Sequence, residues 1–287
     1  MKKKPNILFF LTDDQRFDTI HALGCDEIYT PNLDMFSKES VVFTHAHIIG
    51  GTCGAVCMPS RAMIQTGRNL FNLYGTGKKN GAVIPPEHIT LPECLKANGY
   101  HTCHIGKWHQ NRESFHRCYD EAERIMGFHT GGSYGYHFST VLFNYDPTGA
   151  YEMEKAYNVG PNHELRPVDF TRGGMHSTDI FTDAAIDFIH DYDRQEPFYL
   201  YVALHAPHDP RQCPEKYEEM YSSETVSCPP NFKEHHPFDN GDLGTRDEML
   251  ETFPRRKHAI RRHIADYYAM ISHNDDRFGE VKLILMK

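Results

Sequence analysis

Four short clusters in this 287-residue sequence carry side chains capable of chemistry. Asp13 and Asp14 directly follow the apolar run Ile7 to Leu11. Adjacent carboxylates repel, and a divalent cation relieves the repulsion by turning both into oxygen ligands; alternatively, one caps a turn and the other is solvated. Cys57 opens Cys57-Met58-Pro59-Ser60-Arg61, a segment whose spacing predicts a helix. At a helix N-terminus, unpaired N–H groups favour an anion and make a thiol acidic and nucleophilic. Arg61 lies one turn below on the same face, and a buried structural cysteine is the ordinary alternative. Lys107 and His109 alternate along an extended segment, which would aim a fixed positive charge and a proton-transfer group into one site, unless both face water. His205 and His208 flank Pro207, which keeps the residue before it extended and stiffens the loop.

These clusters need elements to position them. Ile7 to Leu11, bounded by Pro5-Asn6 and by acidic residues, has the pattern of a short buried strand, whose carboxyl end is where α/β sheets put chemistry. Pro31 to Ser40 reads as a helix and Val41 to Ile49 as a second strand. From Cys57 the helical pattern runs to Thr66, with proline in its first turn and Gly67 as its stop. Thr90 and Glu93 have capping-box spacing for a helix to about Asn98, and Tyr100 to Ile105 follows as a strand. From Asn111 to Arg172 the sequence reads as loops rich in glycine, tyrosine and histidine. A helix over His176 to Tyr192 then feeds a strand over Phe198 to Leu204, and Pro210 to Glu251 reads as a long loop. Arg255 to about Leu285 is a long helix with Ile260, Ile264, Tyr267, Tyr268 and Ile271 on one side. The alternation predicts an α/β fold with a largely parallel central sheet flanked by helices.

Composition narrows the function classes. With 39% hydrophobic residues, 21 glycines and 17 prolines, the chain is ordinary globular material able to bury a sizeable core. Its 39 acidic against 30 basic residues give a net charge of -9, which argues against nucleic acid as a partner. No apolar run approaches the roughly 18 to 20 residues that cross a bilayer, so no membrane insertion is expected. Ile7 to Leu11, behind three lysines, is shorter than the h-region of about 7 to 15 residues in an export signal, and the compartment stays open. Eight cysteines without a Cys-x-x-Cys pair do not make a disulfide scaffold.

Taken together, Pro5-Asn6-Ile7-Leu8 leading to Thr12-Asp13-Asp14-Gln15, Cys57-Met58-Pro59-Ser60-Arg61 with Thr66-Gly67-Arg68, Gly106-Lys107-Trp108-His109, and His205-Ala206-Pro207-His208 resemble the sulfatases in order and spacing. Asp266 to Ile271 resembles that family's helix after the substrate loops. The resemblance implies an alkaline-phosphatase-like fold and hydrolysis of sulfate monoesters, here on sulfated small molecules or saccharides. It implies that a formylglycine-generating maturation enzyme oxidises Cys57 to formylglycine, one hydroxyl of whose hydrate attacks sulfur while the other later expels sulfate. Asp13 and Asp14, with an oxygen of residue 57, would hold a divalent cation, most often calcium, acting as a Lewis acid. Arg61 would hold the hydrate, Lys107 the sulfate, His109 would take a proton, and His205 would contact sulfate or help protonate the leaving oxygen. His208 matches a flanking position of variable role. Arg166, Arg172 and Arg211, on the two long loop stretches, are candidates to line a sugar cleft.

The same resemblance carries a departure. The family completes its cation site with an Asp-Asn or Asp-His pair on a later strand and a further lysine beyond it, and this sequence reaches Lys287 before either should appear. Asp239-Asn240-Gly241 imitates the pair but precedes that helix and reads as a turn. The expectation is therefore that residues 1–287 form an N-terminal catalytic portion, incomplete at its C-terminal end and without the smaller C-terminal domain. Two alternatives stand beside it: a phosphonate or phosphate monoester hydrolase of the same superfamily, and a catalytically impaired anion-binding fragment.

Overall fold

The computed structural model describes residues 4–47, 56–74, 84–126, 142–145, 151–153, 156–159, 165–168, 176–239, 241, 243–245 and 248–286. The first apolar run forms β1 (Ile7–Leu11), and α1 (Pro31–Glu39) follows. The first-turn amides of α1 receive no cap from Thr30; the backbone N–H groups of Asn32 and Leu33 donate instead to the Asp275 carboxylate at 3.0 and 2.7 Å. α2 (Cys57–Thr66) ends at Gly67, whose left-handed backbone donates to the Met63 carbonyl. After α3 (Leu70–Tyr74), α4 (Leu91–Ala97) starts with the expected reciprocal box: Thr90 accepts from the Glu93 N–H, and Glu93 accepts from the Thr90 N–H at 2.9 Å. Then come β2 (His101–Lys107), α5 (Arg112–Cys118), β3 (Glu121–Met126), β4 (Leu142–Tyr145), β5 (Tyr151–Met153), β6 (Ala156–Val159) and β7 (Leu165–Val168). The chain continues through α6 (Ser177–Asp191), β8 (Phe198–Ala203), the short α7 (Glu215–Glu218) and α8 (Lys257–Leu285).

The main sheet has six strands in the order β1-β8-β2-β3-β4-β5. β1, β8, β2 and β3 run parallel, while β4 and β5 add antiparallel pairs at one edge. Alternate residues of β8 explain how the sheet is covered. Tyr199, Tyr201 and Ala203 pack on one face with Ala62 of α2 and Phe115 of α5; Phe198, Leu200 and Val202 pack on the other with Ile180, Phe181 and Ala185 of α6 and Val281 of α8. Burial on both faces is why β8 reads as a continuous apolar run rather than an alternating one. The fold is thus the α/β architecture expected, with its central parallel strands covered by helices on both sides.

Two expectations fail. Residues 41–47 form no strand, and Val41 and Phe43 are more than four-fifths exposed. β-branched and aromatic residues favour a pleated, half-buried surface, and among the described residues this segment pairs with no strand; residues 48 and 49 lie outside the described residues. Conversely, the stretch read as loop from Asn111 contains α5 and β3, and β3 is one of the parallel core strands. The described cysteines are all free, and among the described residues no helix is long and apolar enough to cross a membrane. At the imitation metal pair, the Gly241 N–H donates to the Asp239 carboxylate at 2.7 Å with Gly241 at φ 87°, as a turn requires; Asn240 lies outside the described residues.

Gly106 links the fold to the chemistry. It sits at φ 90° where the register against β3 shifts, immediately before Lys107, and a Cβ there would overlap the Ala203 carbonyl oxygen of β8. Gly106→Ala is expected to cost about 2 kcal/mol or more, because both the positive φ and a backbone neighbour oppose it. Urea denaturation reads that loss as a lowered midpoint at unchanged slope.

Candidate active site

Three parallel strands deliver their carboxyl ends to one place. β8 lies between β1 and β2, so Asp13 just after β1, Lys107 at the end of β2 and His205 just after β8 arise from neighbouring strand ends, the usual location of α/β sites. The Asp13 N–H donates to the Ala206 carbonyl at 3.3 Å, tying two of these ends together. α2 supplies the fourth part. Its N-cap, Val56, makes no side-chain cap to the first turn, where the half-buried Cys57 stands.

The centre of the site is a buried charge cluster. Lys107, Arg61, Asp13 and His205 are 1, 3, 6 and 8% exposed. The Lys107 ammonium donates to the Asp13 carboxylate, and Arg61 Nη2 lies 3.5 Å from the same oxygen. Arg61 Nη1 also donates to the Lys107 carbonyl at 2.7 Å, so the arginine braces the end of β2 from below. Burial opposes the Asp13 charge, but Lys107, Arg61 and His205 outweigh it and hold the carboxyl far below the ordinary range. The Lys107 ammonium donates to His205 Nδ1 at 3.4 Å, and His205 Nε2 donates to the Asp209 carbonyl at 3.2 Å. Burial first, then Lys107 and His208, push His205 well below the usual imidazole value, so it stands neutral with both nitrogens engaged.

Asp13, Cys57 and His208 each place one potential ligand atom so that all three lie within 4.8 Å of one another. Oxygen ligands sit about 2.3 to 2.6 Å from calcium, so ligands on opposite sides of one ion are about 4.6 to 5.2 Å apart, and this group fits around a single cation. The carboxylate suits a hard ion, and the sulfur is the donor that conversion to an oxygen function would change. His208 Nδ1 sits 2.8 Å from the Asp209 carbonyl and 3.1 Å from its carboxylate. Burial opposes its charge, yet hydrogen bonds to Asp209 and Cys57 raise it to about 10.

Asp14 and His109 stand at the edges of this arrangement. Asp14 is exposed and outside the three-residue group; its backbone is left-handed at φ 64°, and its carbonyl accepts from the Tyr267 hydroxyl at 2.6 Å. His109 is also left-handed, at φ 61°, and 6% exposed. Aspartate and histidine tolerate this region better than most residues, and two such positions flanking one pocket mark stored strain of the kind that collects at functional sites. Gln110 Nε2 donates to the Met58 carbonyl at 2.7 Å, docking the His109 loop onto the first turn of α2.

Cys57, Arg61, Lys107, His205 and Asp13 thus converge, with His109 and Asp14 at the margins. Lys107 and His109 are not the water-facing pair that position alone allowed. Three contributors went unselected as site residues in the sequence: Asp209, Gln110 and Tyr267. His208 is the flanking residue marked by its spacing from His205 across Pro207, and it joins the site. Arg211 lines a cleft beside Asp14; the side chains of Arg166 and Arg172 lie outside the described residues. Chemically, the pocket offers a potential nucleophile at an uncapped helix start, two fixed cations, an imidazolium and one deeply ionised carboxylate, a set suited to an anionic ester.

Comparison with known proteins gives a consistent result. A family model described as Sulfatase matches residues 5–282. The ulvan-active sulfatase of Formosa agariphila is 28% identical over 281 residues, covering 96% of this chain and 46% of that protein. The arylsulfatase of Clostridium perfringens is 30% identical over 304 residues, covering 98% of this chain and 59% of its own length. Among solved structures, the phosphonate monoester hydrolase of Agrobacterium radiobacter superposes with a TM-score of 0.65 at 18% identity, covering 99% of this chain and 59% of that one, a likeness of fold. The chain spans about half the length of these curated relatives.

Proposed function

This chain belongs to the sulfatase family, and we propose from that premise that it hydrolyses sulfate monoesters on carbohydrates with a nucleophile derived from Cys57. The observation that carries the reading is the placement of Cys57 at the uncapped start of α2, grouped with Asp13 and His208 beside the Lys107 ammonium. Membership implies a divalent cation and a formylglycine-type cysteine. Calcium is the proposed ion, held by Asp13, Asp14 and an oxygen of residue 57, with His208 adjoining; the ion supplies Lewis-acid stabilisation of the ester's developing charge. The formylglycine group, made by a maturation enzyme, supplies the hydroxyl nucleophile.

The other steps belong to the chain's own side chains. Lys107, which donates to Asp13 at the head of the site, would hold a sulfate oxygen. Arg61, ion-paired with Asp13 and hydrogen-bonded to the Lys107 carbonyl, fixes the site floor and faces residue 57 from one turn below. His109 receives a proton from the nucleophile side and His205, kept neutral by burial and Lys107, serves the leaving oxygen. The carbohydrate assignment draws on the cleft beside Asp14, which Arg211 lines, and on a relative named for its activity on ulvan.

The test is the covalent state of residue 57. Produced together with a formylglycine-generating enzyme, the protein is expected to lose the thiol mass at residue 57, to gain aldehyde reactivity, and only then to hydrolyse an aryl sulfate in a calcium-stimulated manner. An unmodified Cys57 in the presence of a competent maturation enzyme, with no turnover, would sink the proposal and leave an anion-binding role.

A further inference from the structure

A second cleft, of about 400 Å³, opens beside the charge cluster and shares Asp14 as a wall. Its cations are Arg16, Arg255 and Arg211. Two of these are neutralised locally: Arg16 binds Asp18 through Nε at 2.9 Å and through a terminal nitrogen, and Arg255 Nη2 lies 3.0 Å from the Glu248 carboxylate. Arg211 differs. Among the described residues no carboxylate lies within ion-pair distance of it, and its recorded side-chain hydrogen bond runs from Nη1 to His263 Nδ1 at 3.4 Å. His263 in turn donates from Nε2 to the Glu251 carboxylate at 2.9 Å. This fixes the imidazole as the tautomer whose Nδ1 accepts, so Glu251 and His263 orient the guanidinium from behind. A guanidinium has five donors in a rigid fork matched to carboxylate and sulfate oxygens, and one of them serves His263.

Position ties this cleft to the reaction site. Arg211 follows His208, Asp209 and Pro210 on the loop that carries His205, so one short segment supplies both imidazoles to the charge cluster and the guanidinium to the cleft. Tyr267 separates the two spaces: its hydroxyl donates to the Asp14 carbonyl at 2.6 Å and accepts from the Arg16 N–H at 2.8 Å. A ligand anchored at the Lys107 end that extends past Asp14 enters a cleft whose Arg211 has Asp14 and Asp266 acting on it from beyond ion-pair distance and keeps its fork open to a second anionic group.

We propose that this cleft is a second anion subsite, in which Arg211, oriented by His263 and Glu251, binds a sulfate or carboxylate group on a saccharide whose scissile sulfate lies beside Lys107 and residue 57. The inference rests on the sulfatase reading and narrows its substrate class to saccharides carrying at least two anionic groups.

The test compares two probes by calorimetric binding to the whole protein: a galactose disaccharide with one sulfate, and the same disaccharide with one sulfate on each ring. The doubly sulfated probe is expected to bind about tenfold more tightly, the worth of one charge-assisted contact. In Arg211→Ala that preference falls to near one, and Arg211→Lys, which keeps charge without the fork, retains an intermediate ratio. Thermal melting of each variant checks that it folds. Equal affinity of the two probes for the wild-type protein, or an Arg211→Ala variant that keeps the tenfold ratio, would overturn the subsite. Because the readout is a binding ratio, it does not depend on turnover: a converted protein that hydrolyses an aryl sulfate but shows no preference loses only the subsite, whereas one that cannot hydrolyse it loses the hydrolase reading.

Discussion

Cys57→Ala, in protein exposed to a maturation enzyme, is expected to lower kcat/KM for an aryl sulfate at least about a thousandfold, since removing a nucleophile leaves only binding and electrostatic stabilisation. The loss should fall on kcat. Lys107 and Arg61, which hold charge at the site, remain, so an anion should still bind. Cys57 is half-buried, belongs to none of the apolar clusters of the fold and begins its helix without a side-chain cap, so alanine should change the melting temperature little. That separation gives the experiment its power. A variant that folds, binds sulfate and does not turn over identifies residue 57 as the reacting group; one that folds and keeps wild-type turnover eliminates it, and with it the covalent route.

The sequence made local devices readable and long-range ones obscure. α2 announced itself through Pro59 in its first turn and Gly67 at its stop, and the Thr90–Glu93 box marked the start of α4, because each signal is complete within a few residues. β3 gave no such signal. Its residues Glu121, Glu123 and Arg124 look like surface, and only Ala122, Ile125 and Met126 are buried, so it joins the sheet through a partly polar pattern that short-range periodicity passes over. Val41 to Phe43 shows the reverse case, strand-forming residues that pair with no strand among the described residues. The site follows the same division. Its reactive types stood out as short motifs, but the pairing of Asp13 with Lys107 spans 94 positions and depends on β8 inserting between β1 and β2. His208 joins Cys57 and Asp13 through the same strand order. No spacing rule encodes these contacts; they follow from sheet topology.

Asp13→Asn carries the second large expected effect, a loss of about 3 to 5 kcal/mol of folding stability, the typical result of removing one member of a buried ion pair. The amide nearly matches the carboxylate in shape, so the cost is electrostatic rather than a cavity. It leaves the Lys107 ammonium and the Arg61 guanidinium, both almost wholly buried, without the carboxylate they share. The pH dependence identifies the origin. Although burial alone would raise it, the folded Asp13 carboxyl is held below its unfolded value by Lys107, Arg61 and His205, so the unfolded chain binds the proton first as pH falls. Its stabilisation is therefore complete above about pH 4 to 5, declines as pH falls from there towards the folded-state value, and is absent in the asparagine variant. Urea midpoints for wild-type and variant should differ most near neutrality and converge in acid. Adding Lys107→Met to the Asp13→Asn chain should recover part of the loss, because it removes a stranded charge, and with the single Lys107→Met variant the four midpoints form a cycle that isolates the coupling. A gap that stays constant from neutrality to acid would assign the loss to hydrogen-bond geometry instead, and no gap at all would mean that the buried cations are held by other contacts and that Asp13 is free to bind a cation without cost to the fold.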